Sequence, residues 1–378
     1  MMSQDPLDLF GIDYVEFYVS NARQSAHFYR TTLGLVPTAY AGLETGHREQ
    51  TSYVLQRRNV RFVLSAPLKP NPEHPIARHV ALHGDGVKDI ALRVRNATAA
   101  YQAALANGAT SVMEPTVFED EHGSVVKATI ATYGDTVHSF IERHGAYAGE
   151  SEGQHVRLTG GKFWPGFQSV ANPPSAPETG LAAIDHIVGN VEHMEQWVNF
   201  YRDVMGFKQL IHFDDQDIST EFSALMSKVM QNGSGRVKFP INEPAEGRRK
   251  SQIEEYLEFN GGAGVQHIAL ATNDICATVD ALKAAGIPFI NVPDSYYEDL
   301  EARVGKIDED ADALRARHIL VDRDDEGYLL QIFSQPLQDR PTLFIEIIQR
   351  KGARGFGKGN FKALFEAIER EQARRGNL

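Results

Sequence analysis

Three side chains in this sequence stand where their chemistry is costly. Glu346 lies in Phe344-Ile345-Glu346-Ile347-Ile348, His186 in Ile184-Asp185-His186-Ile187-Val188, and His267 in Val265-Gln266-His267-Ile268-Ala269-Leu270. Each stretch is apolar around its ionisable residue, the pattern of a buried strand. A carboxylate buried without a partner is expensive, so Glu346 needs a cation, and its sequence neighbours supply none. Two imidazoles and a carboxylate on three separate strands can share one metal ion. That donor set is a facial triad, which leaves coordination positions open for substrate and oxygen and usually holds ferrous iron. Zinc accepts the same donors and commonly keeps a water, so the donor types alone do not choose the metal. A lone histidine in an apolar strand is more often a hydrogen-bonded core residue; three such residues together carry the metal reading.

The elements that must position these residues recur along the chain. Asp13 and Asp185, Phe28 and Phe200, Tyr29 and Tyr201, and Gly34 and Gly206 all stand 172 residues apart. Ile90-Ala91-Leu92 and Ile268-Ala269-Leu270 form a second pair of copies, offset by 178, as do Gly108 and Gly286. Phe140-Ile141-Glu142 matches Phe344-Ile345-Glu346 at an offset of 204. The larger offset places an insert in the late copy, covering Ser295 to Leu314, which reads as helical with Tyr296, Leu300 and Val304 on one face. Each unit reads strand, helix, then three strands. The expected fold class is therefore α+β, with four βαβββ modules in two tandem halves. Helices are expected over 22–32, capped by Asn21 and ended by Gly34, over 97–106 and over 275–285. The expected boundaries are a first half over 1–150, a Pro- and Gly-rich linker over 151–180 and a second half over 181–378. A last helix over 360–374 aligns Phe361, Leu364, Phe365 and Ile368 on one stripe. The glycine-rich Gly355–Gly359 lacks the ending of a phosphate loop and reads as a hinge that lets this helix fold over the site as a lid.

The repeat contains its own control. The position of His186 holds Tyr14 in the early half and that of His267 holds Asp89, while Glu142 is the expected counterpart of Glu346. The early half therefore cannot make the same three-donor site and the late half can, so the early half is expected to be structural, and Glu142 a structural carboxylate.

Composition bounds the rest. The 378 residues are 42% hydrophobic and 23% charged, enough for two ordinary domains with sizeable cores. No run approaches the roughly 18 apolar residues of a membrane span, and the start resembles no signal peptide. The formal charge of -12 disfavours nucleic acid as a partner. The single Cys276 excludes an intrachain disulfide and suits a cytoplasmic location.

At the level of motifs the late half resembles the 4-hydroxyphenylpyruvate dioxygenase family, and the whole chain looks like a bacterial member of it. The matching stretches are Asp185–Val191, Phe239-Pro240-Ile241-Asn242-Glu243-Pro244, Lys250-Ser251-Gln252-Ile253, Gly262–Ala269, Asp324–Phe333, Arg340-Pro341-Thr342, Phe344-Ile345-Glu346 and Gly355–Phe361. The resemblance implies the vicinal oxygen chelate fold, each half an open, barrel-like sheet. It implies one Fe(II) per chain on His186, His267 and Glu346. It places Gln266, Gln331, Asn242, Gln252 and Ser227 as polar groups around the substrate, with Phe333 and Phe361 flanking its ring. Pro240 would line the wall, and Phe356, Asn360, Leu364 and Phe365 would belong to the closing helix. The implied partners are 4-hydroxyphenylpyruvate and O2, and the implied assembly is a homodimer or homotetramer. The implied reaction couples oxidative decarboxylation to ring hydroxylation and side-chain migration, giving homogentisate and CO2 in tyrosine and phenylalanine breakdown. The nearest rival is 4-hydroxymandelate synthase, which oxidises the benzylic carbon of the same substrate; bulky Phe333 favours the ring-hydroxylating reading. Another metal enzyme of this fold, such as a zinc isomerase or an extradiol dioxygenase, would not need Gln266, Gln331 and the 355–361 segment together. A non-catalytic binding protein would need no metal donors.

Overall fold

A computed structural model of the chain describes residues 6–152, 155–157, 161–213, 224–245 and 249–377. The first module runs β1 (Leu9–Tyr18), α1 (Ala22–Leu33), β2 (Val36–Ala41), β3 (Gln50–Arg57) and β4 (Val60–Pro67). After α2 (Pro75–His83) the second runs β5 (Gly86–Val94), α3 (Ala97–Ala106), β6 (Ser111–Asp120), β7 (Gly123–Ala131) and β8 (Val137–Arg143). Short strands β9 (Glu150–Glu152), β10 (His155–Arg157) and β11 (Gln168–Ser169) lie in the connection. The third module is β12 (Leu181–Asn190), α4 (Met194–Asn199) with a π-helical continuation Phe200–Val204, β13 (Lys208–Phe213), β14 (Ala224–Gln231) and β15 (Lys238–Ala245). After α5 (Gln252–Asn260) the fourth is β16 (Gly264–Thr272), α6 (Ile275–Ala284), the inserted helices α7 (Leu300–Val304) and α8 (Ala311–Arg317), then β17 (Leu320–Arg323), β18 (Tyr328–Phe333) and β19 (Phe344–Lys351). The chain closes with α9 (Lys358–Arg374). Each module is βαβββ, as the repeat demands.

Local chemistry explains the repeated residues. Asn21 caps α1 by accepting from the Gln24 N–H. Gly34 and Gly206 end the paired helices at φ +72° and +68°, a left-handed turn closed to most side chains. At both ends the next residue donates back to the repeated tyrosine: Leu35 to the Tyr29 carbonyl and Phe207 to the Tyr201 carbonyl. The insert is helical but broken. Gly305, at φ +68°, ends α7, and Asp310 starts α8 afresh by capping Asp312.

Two sheets result, in the orders β11-β2-β3-β4-β1-β5-β8-β7-β6 and β13-β14-β15-β12-β16-β19-β18-β17. Within each sheet two modules meet through an antiparallel pair, β1 with β5 and β12 with β16. Each module closes through a parallel pair: β1 with β4, β5 with β8, β12 with β15, and β16 with β19. The apolar core is continuous across both halves. At the seam Tyr133 presses on Gly189, where any Cβ would lie 2.7 Å from its ring. His138, fully buried, hydrogen-bonds the Tyr201 hydroxyl at 2.8 Å and stacks on Phe239.

Strand pairing corrects one expectation. In the late half His186 lies opposite Ala269, and Ala269 opposite Glu346. In the early half Tyr14 lies opposite Ala91, and Ala91 opposite Ser139. The counterpart of Glu346 is therefore Ser139, three residues before Glu142. A second contact agrees: Glu142 accepts from the first N–H of α3, at Ala97, as Gln349 accepts from the first N–H of α6, at Ile275. The repeated Phe-Ile-Glu is a coincidence of strand composition; the hydrogen-bonded register decides which residues correspond. Glu142 remains structural, as a helix cap.

Candidate metal centre

Strands β12, β16 and β19 are adjacent at the middle of the second sheet, which brings His186, His267 and Glu346 onto one face. Ala269 lies between His186 and Glu346 in the cross-strand row, and its small side chain leaves room for the donors around it. His186 Nε2 is 3.2 Å from Glu346 Oε2, and His267 Nε2 is 3.3 Å from the same oxygen. Donor atoms of all three residues lie within 4.8 Å of one another, and all three residues are buried.

The neighbours leave the right atoms free. His186 Nδ1 faces Asp185 Oδ1 at 2.8 Å and His267 Nδ1 faces Gln266 Oε1 at 3.0 Å, so each Nδ1 donates and each Nε2 keeps its lone pair. Arg350 holds Asp185 with two bonds of 2.8 Å. Gln331 donates to Glu346 Oε1 at 2.8 Å, leaving Oε2 with the two imidazoles. Burial alone would raise the Glu346 carboxyl; the imidazoles of His186 and His267 overcome that and bring it down to about 2. For His186, burial is outweighed by Glu346 and Asp185, which push its pKa up; for His267, burial wins and pushes it down. Two outward-aimed lone pairs and an ionised oxygen at one point are a donor set that fits a divalent metal.

The other expected residues lie on β14, β15 and β18, at or near the starts of α5 and β16, and in α9 and the segment before it. Ser227 and Asn242 are cross-strand partners on β14 and β15, and Asn242 donates to Asn190 at 3.2 Å. Among the described residues Ser227 Oγ, Asn242 Oδ1 and Gln252 Oε1 are buried without a hydrogen-bond partner, three polar atoms open to a ligand. Gln252 and Gln266 line a cavity of about 70 Å³ with Phe344, Ile368 and Arg375. Phe333 meets His267 edge-on, with ring centres 6.1 Å apart, and Phe356 meets His186 edge-on at 4.7 Å. Pro240 is buried on β15 opposite Val229. Phe365 and Phe356 pack together with Leu225, Val229 and Ile253. Leu364 belongs instead to the main core. Phe361 lies within α9, and its side chain is outside the described residues. Asn360 donates to Gln331 Oε1 at 2.8 Å, which ties α9 through Gln331 to Glu346.

Sequence reasoning missed Asp185 and Arg350 as supports of His186, Tyr296 as the partner of Asn360 (2.7 Å), and Phe344, stacked on His267 at 4.7 Å. Asp185 and Arg350 had a signal. Asp13 and Arg143 form the same clamp in the early half, at 2.7 and 2.9 Å, and Arg143 matches Arg350 once the register is corrected.

The early half shows what replaces the metal. Asp89, at the His267 position, accepts from Lys127 Nζ at 2.9 Å and from Ser139 Oγ at 2.6 Å, and Lys127 also reaches the Tyr14 hydroxyl at 3.1 Å. An ammonium from β7 thus neutralises the buried acid, and among the described residues Tyr14, Asp89 and Ser139, at the positions of His186, His267 and Glu346, form no three-donor cluster.

Residues 3–151 match the family model described as hydroxyphenylpyruvate dioxygenase, N-terminal. Residues 183–332 match the glyoxalase/bleomycin resistance protein/dioxygenase superfamily. The 4-hydroxyphenylpyruvate dioxygenase of Yarrowia lipolytica is 48% identical over 97% of this chain and 93% of its own. The chain belongs to the 4-hydroxyphenylpyruvate dioxygenase family. The family member of Xenopus tropicalis is 45% identical over 97% of this chain and 92% of its own. Among solved structures, a mutant of 4-hydroxymandelate synthase from Streptomyces coelicolor superposes with a TM-score of 0.83, at 30% identity, over 97% of this chain and 99% of that one. The family's two-part vicinal oxygen chelate architecture is the one seen in the two sheets. Among the described residues no helix is long and apolar enough to cross a membrane.

Proposed function

We propose that this chain converts 4-hydroxyphenylpyruvate and O2 to homogentisate and CO2, using one Fe(II) held by His186, His267 and Glu346. The observation that carries the reading is the convergence of three buried donors, each oriented by a hydrogen bond, in a chain with near-full-length relatives of that name. Ferrous iron, when bound there, would supply the redox chemistry with O2. The protein's own residues do the rest. Asp185, Gln266 and Gln331 hold the donors in orientation, so no reorganisation is needed as the metal enters. Ser227, Asn242 and Gln252 offer their free polar atoms to the substrate's oxygens. Phe333 and Phe356 give flat apolar surface beside an aromatic ring. Helix α9 covers the site and keeps bulk water from the oxidant. The first half, residues 1–150, acts as a structural partner to the catalytic half that follows residue 180. The assembly we infer is a homodimer or homotetramer in the cytoplasm, in tyrosine and phenylalanine breakdown.

The solved 4-hydroxymandelate synthase relative favours one second reading, the same substrate oxidised at the benzylic carbon. One assay separates them: anaerobic loading with Fe(II), addition of 4-hydroxyphenylpyruvate and air, and mass spectrometry of the products. Homogentisate with CO2 is expected. Hydroxymandelate would reverse the reading of how the ring is held, and neither product from iron-loaded protein would overturn the substrate.

A further inference from the structure

A second cluster of metal donors lies outside the site described above. His79 and His83 sit four residues apart on α2, so both rings leave the same helix face. Asp135 comes from the tight turn between β7 and β8. Donor atoms of the three residues lie within 4.8 Å of one another. Both histidines are more than nine-tenths buried, at 6% and 5% exposure. They line a cavity of about 10 Å³, room for about one water-sized particle.

Two acceptors there face one imidazole. His83 Nδ1 lies 2.6 Å from the Asn260 carbonyl, an acceptor, so that nitrogen must carry a proton. Its Nε2 lies 3.0 Å from Asp135 Oδ2, a second acceptor. A neutral imidazole has only one N–H, so something positive must stand between Nε2 and the carboxylate. A second proton on His83 would satisfy that pair alone. It would leave His79, whose ring nitrogens are both buried with no partner among the described residues, only 4.7 Å away between ring centres. A metal ion meets both demands at once. The Nδ1–H bond to a backbone carbonyl is also the usual support of a metal-bound Nε2. Two other charges belong to the surroundings. Lys88 donates to the Asp135 backbone carbonyl, and Asp85 lines the same cavity.

We propose that His79, His83 and Asp135 form a second metal site, of the zinc class, at the seam between the two halves. Two imidazoles and a carboxylate leave a fourth tetrahedral position for water. The ion staples α2 and the β7–β8 turn of the first half to Asn260, the last residue of α5. Helix α5 begins at Gln252, which shares a cavity with Gln266, the partner of His267. The staple therefore braces the helix that carries a pocket residue. It takes part in no electron transfer, and it stands whether or not the substrate assignment above is correct.

The test titrates zinc into metal-free full-length chain carrying His267→Ala, which disables the first site, with bound metal counted by mass spectrometry after dialysis. One tight equivalent is expected. Adding Asp135→Asn, which alters a half-exposed carboxylate and keeps its shape, should abolish it, as should His79→Gln. A thermal shift on zinc addition should vanish in the same variants. Otherwise wild-type protein with Asp135→Asn alone should still form product when loaded with iron. No zinc bound by the His267→Ala chain, or the same equivalent kept after Asp135→Asn and His79→Gln, overturns the proposal. Anomalous scattering at the zinc edge gives an independent readout, with a peak expected between His79 and His83.

Discussion

At the scale of single residues, the donors are set by what their neighbours do to them. Glu346 is ionised in the interior because two imidazoles outweigh the cost of burial. Removing it in Glu346→Ala should take product formation below detection while the far-ultraviolet circular dichroism stays that of the wild type. Turnover in that variant would remove Glu346 from the centre. Asp185 touches no substrate in the proposed arrangement, yet it fixes the ring of His186. Asp185→Asn keeps the shape and loses the charge that holds the His186 proton on Nδ1. The expected result is about 10- to 100-fold weaker iron binding, read by anaerobic titration. Unchanged affinity would mean that Arg350 and Asp185 serve the fold alone.

Among elements, β7 and β18 hold equivalent places in the two sheets and differ in what they offer. Strand β18 presents Gln331 to the Glu346 carboxylate, whereas β7 presents Lys127 to Asp89. The early half is stabilised by the ammonium where the late half presents three metal donors. Lys127→Met should leave Asp89 buried and unpaired, at a cost of about 3–5 kcal/mol in urea unfolding, with iron stoichiometry unchanged. A change in bound iron would show that the halves are coupled at this point. Helix α9 is the other decisive element. Its start is held by Asp322, which accepts from the Gly359 N–H at 2.6 Å, and Phe365 is 1% exposed. The glycines let the backbone approach that carboxylate: a Cβ on Gly357 would sit 2.9 Å from the Asp322 Cβ. Deleting the chain after Gly355 should abolish turnover and leave iron binding, because all three donors come earlier. An active truncated chain would remove α9 from the mechanism.

On the scale of the whole molecule, the halves share one core, and its seam contains a titratable group. Burial holds the His138 imidazole at about 4, below its usual 6.5, while it bonds Tyr201 from the other half. Between those values the unfolded chain binds a proton that the folded chain does not. The contribution is therefore complete above about pH 6.5 and is lost as pH falls toward 4. At pH 5 the loss should be about 2 kcal/mol relative to neutral pH. Urea unfolding at pH 7.5 and pH 5 measures it, and His138→Gln should flatten the difference. An equal pH dependence in both proteins would assign the acid sensitivity elsewhere.

Much of this was legible in the residues themselves. Apolar runs interrupted by His186, His267 and Glu346 announce buried strands with donors, because burial and charge conflict locally. The recurring Phe-Tyr-Arg and Gly pairs announce repeated modules, because helix ends need particular residues. Helix caps at Asn21 and Gly34 are likewise local. What the tertiary structure alone decided depends on register and on contacts between distant segments. Phe140-Ile141-Glu142 looks like Phe344-Ile345-Glu346, but cross-strand hydrogen bonds pair Ser139 with the Glu346 position, and no local propensity encodes that. Tyr296 reaches Asn360 across 64 residues, and His83 reaches Asn260 across 177. Side-chain identity fixes which chemistry is available; the packing of strands and helices from separate parts of the chain decides which groups meet to perform it.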